Sequence, residues 1–197
     1  MSGKLIVNTG GMYSGKTSAL IQQTERYQIA GKKTIFLKPK KDNRYCEDRV
    51  VSHGGLNKYA TLIDENECLN IEELNEYDVV AIDEVQFFDL KIVKDIDELI
   101  NKKGKIVIVS GLDMDFLGEG FEVVMNLMAK ADEVHKHKAI CDLCKQDSVF
   151  SFRTVKDENR VLIGEKKAYI PLCRSCYNLH MDFINLRKES EKKTYVF

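Results

Sequence analysis

The chain has 197 residues, of which 44% are hydrophobic and 31% charged, with a formal net charge of −1. This length predicts one main domain with a small appendage, and the composition is that of a globular protein. The near-neutral charge gives no general electrostatic reason to bind nucleic acid, and no apolar run approaches the roughly 20 residues of a membrane helix. The apolar stretch before the first glycines is too short for a signal peptide, so we expect a cytoplasmic protein with no nucleic-acid or membrane partner.

Strand-like and helix-like segments alternate along the first two-thirds of the chain. Buried strands are predicted over 4–8, 34–37, 79–82 and 105–109, and helices over 16–30, 71–77 and 90–103. Residues 40–58 are polar and contain two adjacent glycines, which predicts a long loop. Short apolar runs separated by helices indicate an α/β fold, with a parallel sheet flanked by helices as in P-loop NTPases.

The character of the sequence changes near residue 138. Beyond it lie four cysteines and short alternating segments, with little helical periodicity. We therefore predict a nucleotide-binding core over 1–138 and a small zinc-binding domain over 139–186. The charged residues of 187–197 lack an apolar stripe and are predicted to form a flexible tail.

A phosphate-binding loop is predicted between the first strand and the first helix. The residues that fit the G-x-x-x-x-G-K-[ST] pattern are Gly10, Gly11, Met12, Tyr13, Ser14, Gly15, Lys16 and Thr17. In such loops backbone N–H groups and the helix N-terminus surround the phosphates. Lys16 would bridge the β- and γ-phosphates of ATP, and the Thr17 hydroxyl would coordinate Mg²⁺.

Two adjacent acids, Asp83 and Glu84, follow the apolar strand at 79–82. The position of Asp83 at a strand end suits an aspartate that faces the magnesium ion. Period-2 alternation would direct Glu84 to a different side of the strand end. Glu84 could then activate water, as in an ATPase, or a hydroxyl of a second substrate, as in a kinase.

Two C-x-x-C pairs predict a metal site. Cys141, Cys144, Cys173 and Cys176 could supply four thiolates to a structural Zn²⁺. A cytosolic compartment disfavours the alternative of two disulfides, and four thiolates would close the coordination shell. We therefore assign this site no catalytic role.

The motifs GGMYSGKT, DEVQFF and IGEKKAYIPLCRSCY, in this order, resemble those of the cellular-type (type II) thymidine kinases. The resemblance covers roughly residues 4–180. It implies a P-loop core with a zinc-bearing lasso domain, and Mg²⁺-dependent transfer of the ATP γ-phosphate to the 5′-hydroxyl of thymidine or deoxyuridine. It also implies a homotetramer with feedback inhibition by thymidine triphosphate, acting in nucleotide salvage for DNA synthesis.

The same resemblance implies roles for individual residues. Glu84 is similar to the general base, and Asp83 to the magnesium-associated aspartate. The further ATP-binding residues would be Asp42, Asn43, Arg44 and Gln86. The nucleoside would be held by Met12, Phe87, Leu112, Phe116, Arg160, Val161, Leu162, Ile163, Gly164 and Tyr169.

The chain departs from the common family pattern at three positions. Gly11 stands where many members have proline, Val85 replaces a small residue, and Glu165 replaces a glycine of the lasso. Two other functions stay open on the sequence alone. One is a P-loop ATPase whose zinc ribbon binds nucleic acid, and the other is a nucleotide-binding regulator without catalysis.

Overall fold

The computed structural model describes residues 3–42, 49–51, 55–155 and 168–183. The described helices are α1 (Lys16–Ile29), α2 (Ile71–Leu74), α3 (Lys91–Asn101), α4 (Glu122–Lys130) and α5 (174–183). The described strands are β1 (Lys4–Gly10), β2 (Thr34–Pro39), β3 (Arg49–Val51), β4 (Asn57–Tyr59), β5 (Thr61–Ile63), β6 (Val79–Ile82), β7 (Ile106–Gly111), β8 (Glu133–His137), β9 (Ala139–Ile140), β10 (Asp147–Ser148), β11 (Phe150–Arg153) and β12 (Tyr169–Leu172).

A six-stranded sheet in the order β5-β2-β6-β7-β1-β8 forms the centre of the fold. Every adjacent pair in it is parallel. The predicted α/β fold class is therefore confirmed. Because all six strands run the same way, the carboxyl ends of β1, β6 and β7 lie at one edge, where ligands bind in open parallel sheets.

Helices cover both faces of the sheet. Side chains alternate along each strand, so both faces present apolar residues. Leu5 and Val7 of β1 belong to the cluster that α3 and α4 cover, whereas Ile6 packs with Leu20 and Ile21 of α1. The helix predicted over 90–103 is found as α3. Its buried residues are Ile92, Val93, Ile96 and Leu99.

The predicted loop over 40–58 is only partly confirmed. Strands β3 and β4 pair there in antiparallel register, with Arg49 opposite Tyr59 and its guanidinium 4.4 Å from the centre of the tyrosine ring. Residues 43–48 and 52–54 lie outside the described residues. The interpretation as loop was wrong for β3 and β4 because these strands have three residues each, too few to show an apolar alternation, and are defined by cross-strand pairing.

Several elements besides β3 and β4 were not predicted. In the main sheet and its layers these are α4, which completes one covering layer, and β5 and β8, which form the two edges of the sheet. In the C-terminal segment, α5 lies where we expected little helix. Helix α5 begins directly after Cys173, so the second cysteine pair lies at its start.

The C-terminal segment forms two small antiparallel sheets, β9 with β10 and β11 with β12. Their aromatic core contains Phe150, Phe152 and Tyr177 beside the cysteines. The predicted boundary at residue 138 stays a prediction, and residues 187–197 lie outside the described part of the chain. Among the described helices, none is long and apolar enough to cross a membrane.

Replacing Ile96 by alanine tests the core. Ile96 of α3 is fully buried, and its truncation should lower the free energy of unfolding by about 2–5 kcal/mol. Ile29, at the end of α1, is 88% exposed and provides the matched control, for which we expect a change within about 0.5 kcal/mol. Urea unfolding followed by circular dichroism measures both, and equal effects would contradict the assigned core.

Candidate active site and metal centre

The loop after β1 has the tight backbone that a phosphate-binding turn requires. Gly10 has a φ of 137°, and a Cβ there would lie 2.3 Å from the carbonyl oxygen of His137 on the adjacent strand. Gly15, directly before α1, has a φ of 87°, and Tyr13 also has a positive φ, of 63°. Glycine is therefore required at position 10 for space and favoured at position 15 for backbone freedom.

The loop closes around the carbonyl oxygen of Gly11. The Lys16 ammonium donates to this oxygen at 2.7 Å, and the Ser14 hydroxyl donates to it at 2.8 Å. The backbone N–H of Met12 donates to the Ser151 hydroxyl of β11 at 2.9 Å. The loop is thus held from within by Lys16 and from the C-terminal segment by Ser151, which the sequence did not indicate.

Hydrogen bonds from two other elements meet at the buried carboxylate of Asp83, which is 4% exposed. The Thr17 hydroxyl of α1 lies 3.3 and 3.2 Å from its two oxygens, and the Ser110 hydroxyl at the end of β7 donates to Oδ1. The Asp83 N–H donates to the Leu37 carbonyl oxygen of β2 at 2.9 Å. Asp83 therefore connects α1, β2 and β7 at one edge of the sheet.

The Thr17 and Asp83 side chains suit a magnesium ion. Two adjacent ligands of an octahedral Mg²⁺ at about 2.1 Å would stand about 3.0 Å apart, close to the separation of these oxygens. A hydroxyl and a carboxylate are also the hard oxygen ligands that Mg²⁺ prefers.

Glu84 leaves the strand direction. Its backbone is left-handed, with φ 51° and ψ 41°, and it precedes a short 3-10 helix at Val85–Phe87. The Gln86 amide donates to Glu84 Oε2 at 2.5 Å and accepts the Leu112 N–H at 3.1 Å. Gln86, predicted to bind ATP, therefore contacts the candidate base and a candidate pocket residue.

The expectation that strand alternation separates the two acids was wrong. Strand β6 ends at Ile82, before both of them. Glu84 instead has a left-handed backbone, a conformation that costs roughly 1–2 kcal/mol for a residue other than glycine. A backbone of this kind is common at functional sites.

Two further polar groups, on strands at opposite sides of β6, β7 and β1, were missed by the sequence reasoning. Lys38 of β2 is 2% exposed, and its ammonium donates to the Asp42 carbonyl oxygen at 3.1 Å. On the other side, the His137 ring lies 2.9 Å from the Asn8 side-chain oxygen. Burial, with the nearby charges of Lys16 and His135, lowers the pKa of His137. Asn43 and Arg44, predicted to bind ATP beside Asp42, lie outside the described residues.

Two of the predicted nucleoside-binding aromatics share one cation. The Arg153 guanidinium lies 3.7 Å from the centre of the Phe116 ring, and its Nη2 and Nε donate to the Tyr169 hydroxyl at 2.5 and 3.1 Å. Phe87 is half-buried near Glu84. The predicted lasso residues 160–164 lie outside the described residues.

The four predicted zinc ligands converge. Their sulfur atoms all lie within 4.8 Å of one another, and those of Cys144 and Cys173 are 3.5 Å apart. Tetrahedral zinc with Zn–S bonds of about 2.3 Å separates its sulfurs by about 3.8 Å, so the cluster fits the ion. Lys145, with a φ of 61°, turns the chain back after the first cysteine pair.

The thiol pKa values within the cluster differ strongly. Burial opposes ionisation of Cys141, but backbone N–H groups of Cys144, Cys173 and Leu143 outweigh it and lower its pKa to about 6. A hydrogen bond with Cys173, together with burial, raises the pKa of Cys176 to about 12. The cluster therefore favours the thiolate at Cys141 and the protonated thiol at Cys176.

Comparison with known proteins identifies the family. A family model described as thymidine kinase matches residues 3–177. The chain belongs to the thymidine kinase family. It is 45% identical over 175 residues to a thymidine kinase of Bacteroides fragilis, covering 89% of this chain and 87% of the relative. It is 40% identical over 179 residues to a thymidine kinase of Pseudothermotoga lettingae, covering 90% and 96%.

A thymidine kinase of Pyrobaculum aerophilum is 40% identical over 182 residues, covering 88% of this chain and 97% of the relative. The region matched by the thymidine kinase family model contains the phosphate loop, the acid pair and all four clustered cysteines. The resemblance found in the sequence is therefore confirmed.

We predict that zinc affinity falls as the pH is lowered. Zinc must displace the proton of Cys176, whose pKa is raised to about 12, and below pH 6 also that of Cys141. Apparent affinity should therefore fall by about ten-fold or more per pH unit between pH 8 and 6. Competition with a chromophoric chelator, corrected for its own protonation, measures this. Cys68→Ser, outside the cluster, should show the same slope, and a flat profile would contradict the four-thiolate site.

Proposed function

We propose that the chain catalyses transfer of the ATP γ-phosphate to the 5′-hydroxyl of thymidine, giving ADP and thymidine monophosphate. The observation that carries this proposal is that two adjacent acids beside a phosphate loop have different partners, in a chain of the thymidine kinase family. Asp83 lies beside Thr17, whereas Glu84 has a left-handed backbone and accepts a hydrogen bond from Gln86. One acid can thus serve the cation and the other a second substrate.

The loop residues Gly10 to Thr17 would bind the phosphates of ATP. Backbone N–H groups and the N-terminus of α1 favour the negative charge, and the Lys16 ammonium would exchange the Gly11 carbonyl oxygen for phosphate oxygens. Thr17 and Asp83 would hold Mg²⁺, which supplies charge neutralisation to the β- and γ-phosphates.

Glu84 would accept the proton of the 5′-hydroxyl while the 5′-oxygen of the nucleoside forms a bond to the γ-phosphorus. The bond from the γ-phosphorus to the β–γ bridging oxygen breaks, and ADP leaves with that electron pair. The hydrogen bond from Gln86 fixes the orientation of the Glu84 carboxylate. Positioning of this kind supplies much of the rate in phosphoryl transfer.

The thymine base would lie between residues from the core and from the C-terminal segment. Met12, Phe87, Leu112 and Phe116 come from the first, and Tyr169 from the second. Deoxyuridine differs from thymidine by one methyl group, worth only about 1–3 kcal/mol in an apolar pocket, so it would also be an acceptor.

A P-loop ATPase with a nucleic-acid-binding zinc ribbon is not favoured. The chain belongs to a kinase family, and its formal net charge of −1 offers no general attraction for nucleic acid. A homotetramer inhibited by thymidine triphosphate, a role in nucleotide salvage and a cytoplasmic location complete the proposal. They rest on the resemblance to type II thymidine kinases and on composition.

Replacing Glu84 by glutamine tests the proposed base. Turnover should fall by about 100-fold or more because the amide cannot accept the proton, while ATP affinity stays near that of the wild type. ADP formation with and without thymidine measures turnover, and a fluorescent ATP analogue measures binding. Glu76→Gln, an exposed site, is the matched control and should be fully active. ADP release that needs no thymidine and rises with single-stranded DNA would overturn the kinase assignment.

Removing zinc should weaken thymidine binding before ATP binding. Three of the cysteines, Cys141, Cys173 and Cys176, pack with Phe150 and Phe152 of β11. Strand β11 pairs with β12 and so holds Tyr169. Cys173→Ala should therefore raise the thymidine dissociation constant about ten-fold or more while the ATP constant changes less. Calorimetric titration with each ligand, compared with Cys68→Ala, tests this. A zinc-free protein with unchanged thymidine affinity would contradict it.

A further inference from the structure

Arg153 is a buried cation at the junction between the sheet domain and the C-terminal segment. It is the last residue of β11 and is 6% exposed. It lies opposite Tyr169 in the β11–β12 register, and its guanidinium covers the Phe116 ring. Phe116 belongs to the segment between β7 and α4, so a single side chain joins parts of the molecule that are far apart in sequence.

Strand alternation explains why β11 can make this connection. Phe150 and Phe152 pack in the aromatic cluster beside the cysteines. The intervening residues contact the other part of the molecule: Ser151 accepts the Met12 N–H of the phosphate loop, and Arg153 contacts Phe116. One face of the strand thus follows the cysteine cluster while the other reaches the phosphate loop and the predicted nucleoside pocket.

The main chain of Phe116 is fixed separately. The Tyr177 hydroxyl of α5 donates to the Phe116 carbonyl oxygen at 2.9 Å. A Cβ at Gly118, in the same turn, would lie 3.6 Å from both Phe150 and Tyr177. The backbone of the turn is therefore anchored by the aromatic cluster, and the ring of Phe116 is left to be oriented by Arg153.

We propose that Arg153 is a positioning residue that sets the distance between Phe116 and Tyr169 and thereby the affinity for the nucleoside. This inference rests on the proposed function, because it takes these two aromatics as opposite walls of the thymidine pocket. Arg153 acts through the two rings and takes no part in the chemistry. Affinity for ATP should be set independently, by the loop that Lys16 and Ser14 close.

Arginine suits this position for a chemical reason. Its planar guanidinium can stack on one aromatic face while N–H groups at its edge donate to the Tyr169 hydroxyl. A lysine ammonium has charge but no plane, so it can satisfy only part of the arrangement. Arg153→Lys, which keeps the charge, should therefore still bind thymidine less tightly than the wild type.

The test measures thymidine and ATP separately in Arg153→Met, Arg153→Lys and Tyr169→Phe. We expect Arg153→Met to raise the thymidine dissociation constant and KM about ten-fold or more, with ATP constants within about two-fold. Arg153→Lys should fall between it and the wild type. Tyr169→Phe keeps the ring but removes the hydroxyl, so it should show a smaller increase in the same constants.

Arg174→Met is the matched control. The Arg174 guanidinium also lies over an aromatic ring, 5.0 Å from the centre of Phe150, but the residue is exposed. Its replacement should leave thymidine affinity unchanged. Zinc content and the thermal midpoint of each variant verify folding.

Nuclear magnetic resonance of the Phe116 ring provides a readout that needs no catalysis. Arg153→Met should change the chemical shifts of this ring because the guanidinium that stacks on it is lost, whereas Arg174→Met should leave them unchanged. Unchanged thymidine constants in folded Arg153→Met, or equal losses for thymidine and ATP, would overturn the proposal. If the wild type forms no thymidine-dependent ADP, the proposed function fails, and the ring signals still decide whether Arg153 orients Phe116.

Discussion

The buried carboxylate of Asp83 is the constraint on which the site depends. A carboxylate removed from water is stable only when its oxygens are hydrogen-bonded. Here the hydroxyl of Thr17 lies beside both oxygens and that of Ser110 donates to one of them, while the Asp83 N–H binds the neighbouring strand. Meeting this requirement places the start of α1 against the ends of β6 and β7. The phosphate loop, which is the turn between β1 and α1, is positioned by the same contacts.

The division of work between two adjacent acids depends on backbone conformation. Continuing the strand would also have separated Asp83 from Glu84, but it would have carried the chain away from the sheet edge. The left-handed turn at Glu84 instead starts a short helix that brings Gln86 back to within hydrogen-bonding distance of the carboxylate. Gln86 in turn binds Leu112 after β7. The candidate base Glu84 is therefore positioned by the ends of two strands, β6 and β7, through Gln86.

The parts of the molecule that sequence predicted well are those specified by short-range pattern. The β1–loop–α1 unit, the strand before Asp83 and the two cysteine pairs each carry their signal within about 15 residues. The contacts of Ser151 with Met12 and of Arg153 with Phe116 join residues distant in sequence, and nothing local marks either side chain. The left-handed conformation of Glu84 was not predicted for another reason. Glutamate has no intrinsic preference for that conformation, which the surrounding fold imposes.

A closed four-cysteine site has no open position for chemistry, yet its place in the fold gives it influence on the nucleoside side. Cys141 of the first pair is buried against the aromatic residues of β11, and α5 begins after the first cysteine of the second pair. From this small core, Tyr177 holds the Phe116 backbone and Arg153 holds its ring. The phosphate loop receives one hydrogen bond from the same strand, but its closure around Gly11 comes from its own residues Ser14 and Lys16. The cysteine cluster is thus coupled more closely to the predicted nucleoside pocket than to the phosphate site.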